Sequence, residues 1–235
     1  MKVLKLHPWN VSPKEAMQIQ NHLRSRIVME NAPEISGVKK IAGADVSYSK
    51  KENMIYAAVI VFSFPELQIL EEKEAILPAT FPYVPGLLVF REGPALIKTF
   101  EQIEREPDLV MFDGQGIAHP RGIGIATHMG MLLDKPSIGV AKTVLVGEYD
   151  EPGRERGSVS PLIKDEREIG AVVRTRKDVE PVFVSIGFKI DLPTAVDFVL
   201  KCCQGYRLPE PARKAHHFSN QLKSKTEEFD QPTLF

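Results

Sequence analysis

The chain has 235 residues, 43% of them hydrophobic, two cysteines and a formal net charge of −1. That is enough apolar material for one large domain or two small ones, and the sequence excludes both a disulfide scaffold and a membrane-spanning helix, since no run of about 18 apolar residues occurs. Charge alone gives no lead to nucleic acid, although residues 1–50 hold 8 Lys/Arg against 4 Asp/Glu while 51–110 hold 5 against 10. The opening Met1-Lys2-Val3-Leu4-Lys5-Leu6 is too short an apolar stretch for a secretory signal. Cys202 and Cys203, adjacent in a helical pattern, make no disulfide framework, and a reducing, cytoplasmic setting follows.

Ser12-Pro13-Lys14-Glu15 predicts a helix start, with Ser12 as N-cap, Glu15 closing a capping box and Pro13 at a tolerated position. Ala16, Ile19, Leu23 and Ile27 continue it as an apolar stripe at helical spacing. Residues 38–47 read as a strand with Asp45 inside its apolar run. A lone acid there is either a strand-end turn residue or a buried charge that needs a partner or a cation. Residues 54–64 and 67–77 read as two more strands, and the short connections make the three an antiparallel meander.

Phe81-Pro82-Tyr83-Val84-Pro85-Gly86 is a stiff loop, because each proline fixes φ. It presents Tyr83 as a rigid projection, of the kind inserted between base steps, or else anchors it in the core. Residues 87–90 and 94–103 read as helix, broken near Gly93 with Glu92 at the break. Leu109 to Phe112 is a short buried strand ending in Asp113. Gly114, Gly116, Gly122 and Gly124 follow, with His119 and Arg121 among them.

An acid at a strand exit followed by glycines marks a ligand site in an open α/β sheet. It is not a dinucleotide fingerprint, since His119 stands where the third glycine is required. It is not a phosphate-cradling loop either, since the chain has no Gly-Lys pair. A helix over 123–133 and a strand over 136–141 come next, with Lys142 and Thr143 at the strand exit. The charged stretch 148–168 reads as a loop or hairpin connection, 168–174 and 181–186 as strands, and 192–204 as a helix. A last helix carries Arg213, Lys214, His216 and His217, after which 219–230 reads as polar and loose. One domain over 1–218 with a flexible tail over 219–235 is therefore expected.

This order predicts an α/β fold, a ribonuclease-H-like mixed central sheet with flanking helices. In that arrangement the first and fourth strands are neighbours, so Asp45 and Asp113 lie side by side and Glu92 comes over them. Three converging carboxylates suit Mg²⁺ or Mn²⁺, which bind phosphate oxygens as well. Without a cation one of the three would protonate.

The motifs Ile41-Ala42-Gly43-Ala44-Asp45, 82–94 (from Pro82-Tyr83-Val84-Pro85-Gly86 to Arg91-Glu92-Gly93-Pro94), Phe112-Asp113-Gly114-Gln115-Gly116-Ile117-Ala118-His119-Pro120-Arg121, Ile138-Gly139-Val140-Ala141-Lys142 and Tyr206-Arg207-Leu208-Pro209-Glu210-Pro211 resemble the endonuclease V family over nearly the whole chain. The resemblance implies Mg²⁺-dependent nicking at the second phosphodiester 3′ to deoxyinosine, and to other deaminated bases, in DNA. It implies catalytic and metal-binding roles for Asp45, Glu92 and Asp113, a lysine near the scissile phosphate at Lys142, and a metal-side histidine at His216. It also implies a wedge of Pro82, Tyr83, Val84 and Pro85, and a largely backbone base pocket at Gly86, Leu88, Gly114, Gly124 and Ala141. His119 and Arg121 are expected to contact phosphate or to support these residues. At position 115 the family more usually has His, so Gln115 departs from it. Cleavage of inosine in RNA, or lesion binding without cleavage, are the competing readings. A monomer with no membrane association is expected. The chain ends Gln231-Pro232-Thr233-Leu234-Phe235, which is either an apolar frayed end or a sliding-clamp peptide, with Gln231 at a polar rim and Leu234 and Phe235 in an apolar pocket.

Overall fold

The computed structural model describes residues 1–229, so Gln231, Leu234 and Phe235 of the proposed clamp peptide lie outside the described residues. The first helix, α1 (Pro13–Arg24), begins as its sequence predicts. The Ser12 Oγ accepts the Glu15 N–H at 3.3 Å, and the Ser12 N–H donates to the Glu15 carboxylate at 2.7 Å. The meander follows as β1 (Lys40–Ser49), β2 (Met54–Ser63) and β3 (Ile69–Pro78), joined antiparallel. After α2 (Leu88–Glu101) come β4 (Leu109–Asp113), α3 (Ile125–Leu133) and β5 (Ser137–Ala141). The hairpin β6 (Val159–Lys164) and β7 (Arg167–Val173), then β8 (Val182–Phe188), α4 (Leu192–Lys201) and α5 (Glu210–Phe229) complete the chain.

All eight strands form one sheet in the order β3-β2-β1-β4-β5-β8-β7-β6, with β1, β4 and β5 parallel. Two cores flank it. Ala42 and Ala44 of β1 face a core with residues of α2 and α3, while the alternate residue Ile41 packs with Val140, Val184 and α4 on the other side. The helix α5 lies against β1 and β2 on that second side, which requires close approach at Gly43, where a Cβ would sit 1.9 Å from the Pro211 carbonyl oxygen. Among the described residues no helix is long and apolar enough to cross a membrane.

Two sequence expectations are corrected, and a third is narrowed. The helix α2 does not break at Gly93: it continues through Pro94, and the bare Gly93 lets Trp9 pack where a Cβ would lie 2.5 Å from its ring. Glu92 is therefore held inside a helix, not at an interruption. Of the loop and hairpin alternatives for 148–168, the hairpin is present: the edge strand β6 pairs antiparallel with β7. Residues 219–229 are helical, with Ser219 and Leu222 buried, so the folded part runs past 218.

The N-terminal segment is fastened over α2 and α3 by an aromatic cluster in which His7 Nε2 lies 2.7 Å from His128 Nε2, close to Trp9 and Phe90. Burial, then His7 and His119, push His128 down to about 3. The unfolded chain binds a proton at this residue near pH 6.5 and the folded chain does not, so stability rises with pH across that window. Stability should therefore fall by roughly 1.4 kcal/mol per pH unit below 6.5 on this account. Melting temperatures measured from pH 7 to 5 should show a shallower slope for His128→Gln than for the wild type.

Candidate active site

The register that pairs Ala44 with Phe112 sets Asp45, inside β1, beside Asp113 at the end of the parallel strand β4. One histidine bridges them from α5. His216 Nδ1 lies 3.1 Å from Asp45 Oδ2 and 3.3 Å from Asp113 Oδ2. Lys142, one residue beyond β5, places Nζ 2.5 Å from Asp113 Oδ2. Ser219 Oγ donates to Asp45 Oδ2 at 2.7 Å. Glu92 reaches the same small cavity from α2, so the group is closed from both faces of the sheet.

The electrostatics are those of carboxylates short of positive charge. Burial, then Asp45, with Asp113 adding to it, push Glu92 up to about 8. Asp113 is raised by burial and by Asp45, against the opposing pull of Lys142 and His216. The hydrogen bond to Asp45 raises His216. One ligand atom each from Asp45, Asp113 and His216 falls within 4.8 Å of the others, and these oxygen and imidazole donors fit a divalent cation whose charge would offset the repulsion.

Glu92 and Asp113 border a cleft of about 380 Å³ that runs from Tyr83 past Gly86, Leu88, Gly114, Gly124 and Ala141 to Lys142, the size of a small-ligand pocket. All five glycine, leucine and alanine positions expected to form a base pocket line it. Val84 and Pro85 line it as well, whereas Pro82 does not. Of the two readings of the proline loop, the projecting one holds: Tyr83 is 71% exposed, and Phe81 is the anchor, buried with its ring 5.7 Å from Phe90.

Of the two roles expected for His119 and Arg121, the bonds of Arg121 fit the supporting one. The guanidinium of Arg121 donates to the Gln20 side chain of α1 and to the Gly86 carbonyl, which braces the proline loop. Burial and the adjacent Arg121 hold His119 down to about 4, so it is neutral at physiological pH and lines the cleft as an uncharged ring. Sequence reasoning missed Gln20 and Ser219. Gln20 carries no local signal. Ser219 does: Ala212, Ala215, Ser219 and Leu222 follow helical spacing and are all buried.

Comparison with known proteins places this geometry in a family. The Endonuclease V family model matches residues 21–217. Endonuclease V of Trichormus variabilis is 47% identical over 215 residues, covering 92% of this chain and 97% of that protein. The crystal structure of endonuclease V from Streptomyces avermitilis superposes with a TM-score of 0.89 at 36% identity, over 97% of this chain and 100% of that one. Endonuclease V of Ciona intestinalis, crystallised with a 24mer DNA containing an inosine followed by a ribo-adenosine, gives 0.81 at 27% identity, over 91% and 98% of the two chains.

Proposed function

Because the chain belongs to the endonuclease V family of nucleases acting on DNA, we propose that it is a divalent-metal-dependent repair enzyme that nicks at the second phosphodiester 3′ to deoxyinosine and leaves the lesion in place. The observation that carries this reading is the meeting of two compartments. The cleft under Tyr83 and the cavity around Asp45, Asp113 and His216 share Leu88, Glu92, Asp113 and Ile125. A base in the first and a phosphate in the second would be separated yet held by one rigid wall, which suits cleavage away from the lesion.

In this mechanism Tyr83 fills the gap left in the stack when the damaged base turns out, at a cost lowest for a poorly paired base. Gly86, Leu88, Gly114, Gly124 and Ala141 then enclose the base. Asp45, Glu92, Asp113 and His216 would hold Mg²⁺, or Mn²⁺ in its place, which supplies an activated water and offsets charge on the reacting phosphate. Lys142 lends positive charge to the phosphate next to Asp113. His216, hydrogen-bonded to Asp45, fixes the orientation of that carboxylate together with Ser219.

The test is a strand-resolved gel assay on a duplex with a single deoxyinosine. One nick at the second 3′ linkage is expected with Mg²⁺, none with a chelator, and no nick with Mg²⁺ would leave only a lesion-binding module. The ribo-adenosine after inosine in the Ciona intestinalis complex favours a second reading, an inosine-directed ribonuclease. Matched DNA, single-ribonucleotide and RNA strands decide between the two by their relative rates. The terminal Gln231, Leu234 and Phe235 remain proposed as a clamp-docking peptide. Removing residues 231–235 should weaken binding to a sliding clamp and leave nicking of a free oligonucleotide unchanged.

A further inference from the structure

Three segments that carry active-site groups meet at the exit of β5. The ladder between β4 and β5 pairs as far as Asp113 with Val140, and Lys142 stands two residues beyond that pair. Side chains hold the chain from there. The Lys142 carbonyl accepts from Arg207 Nη2 at 2.6 Å, and the same nitrogen donates to the Pro181 carbonyl at 2.8 Å. The next carbonyl, that of Thr143, accepts from Gln115 Nε2 at 3.0 Å. Gln115 lies two residues after Asp113, and Arg207 three residues before Glu210, where the helix of His216 begins. Both clamps are themselves fixed. Gln115 is 9% exposed and a Cβ on Gly124 would lie 2.3 Å from its carbonyl oxygen, while the Arg207 carbonyl accepts the Thr175 hydroxyl at 2.6 Å.

A lysine ammonium is a point charge at the end of a flexible four-carbon stem, so it is placed only as well as the peptide it springs from. We propose that Gln115 and Arg207 are positioning residues for nicking. By holding successive carbonyls at the β5 exit they keep the Lys142 ammonium at its place 2.5 Å from Asp113, where it meets the reacting phosphate. The same two bonds tie the exits of β4 and β5 to the approach to α5, so Asp113, Lys142 and His216 keep one spacing. This rests on the reading of Lys142 as the cation beside that phosphate.

The experiment measures kcat and KM for nicking of a deoxyinosine duplex by Gln115→Met and Arg207→Met, each alone and combined with Lys142→Ala. With Lys142 present, each substitution should lower kcat about tenfold and leave KM unchanged, since a small misplacement of a reacting group is costly. With Lys142 already removed, the same substitution should leave the remaining rate unchanged. A partly unfolded variant, or a lost guanidinium charge acting at a distance, would lower the rate alike in both backgrounds. Equal losses in the two backgrounds, or an unchanged kcat, would overturn the proposal. A second readout needs no nicking. Labelling of Lys142 by acetic anhydride in a chelator, read by mass spectrometry against the exposed Lys14, should be severalfold faster in both variants than in the wild type. Equal labelling would also overturn the proposal. A wild type that nicks no deoxyinosine duplex would overturn the reading of the site, and the labelling would still decide whether Gln115 and Arg207 hold Lys142.

Discussion

Asp113→Asn should lower the rate of nicking about a thousandfold while leaving the protein at least as resistant to heat. The substitution keeps the shape of the side chain and removes its charge. That charge is what Lys142 and His216 are arranged around, at 2.5 Å and 3.3 Å. In the metal-free protein the same charge is a burden. The Asp113 carboxyl is raised above its ordinary value by burial and by Asp45, so ionising it costs more in the folded chain than in the unfolded one. Stability on this account is fully present below the ordinary carboxylate pKa and is lost as pH rises through the elevated value, which makes an uncharged residue favourable at neutral pH. Gel assays with Mg²⁺ read the first effect and melting in a chelator reads the second. A variant that nicks within tenfold of the wild type would remove Asp113 from the chemistry. A large fall in melting temperature would make the residue a structural one.

The second large effect is on the fold. Gly43→Ala should cost about 3 kcal/mol, which for a chain of this length lowers the melting temperature by roughly 6–12 °C. The added methyl would lie 1.9 Å from the Pro211 carbonyl oxygen and 2.3 Å from its carbonyl carbon, both main-chain atoms that no rotamer change can move. Relief requires the start of α5 to lift off β1. That helix carries His216 and Ser219, so nicking should weaken along with stability. Calorimetry and the same gel assay test this together. Loss of stability with full activity would mean that α5 does not position the acids.

The part of this protein legible in the sequence is the part set by local rules. The capping box at Ser12 and Glu15, the meander and the acid at the end of β4 each carry their own signal. The pairing of Asp45 with Asp113 then followed from the ribonuclease-H-like arrangement that the element order matches. The illegible part depends on contacts between distant segments. Gly93-Pro94 is a break by local rules, yet α2 runs on through it, and the bare Gly93 faces Trp9 from far upstream, a contact that no local rule discloses. The strand β6 lies at the sheet edge, where only alternate residues are covered, so its charged segment left loop and hairpin both open. The C-terminal half of α5 looked loose because its buried stripe includes a serine, whose partner is the Asp45 carboxylate. For Arg121 the choice between phosphate contact and support of the pocket stayed open, because nothing in its neighbourhood discloses Gln20.

That tie between Arg121, Gln20 and the Gly86 carbonyl has a thermodynamic consequence. Two prolines and a clamped carbonyl mean that the segment carrying Tyr83 surrenders its conformational entropy when the protein folds. On the proposed function, encounter with a lesion would then order the nucleic acid alone, so the unfavourable entropy of association would belong to the substrate and scale with how firmly the damaged base is stacked. Discrimination between well-paired and poorly paired bases would thereby fall in part to the helix being searched, with the protein serving as a fixed gauge.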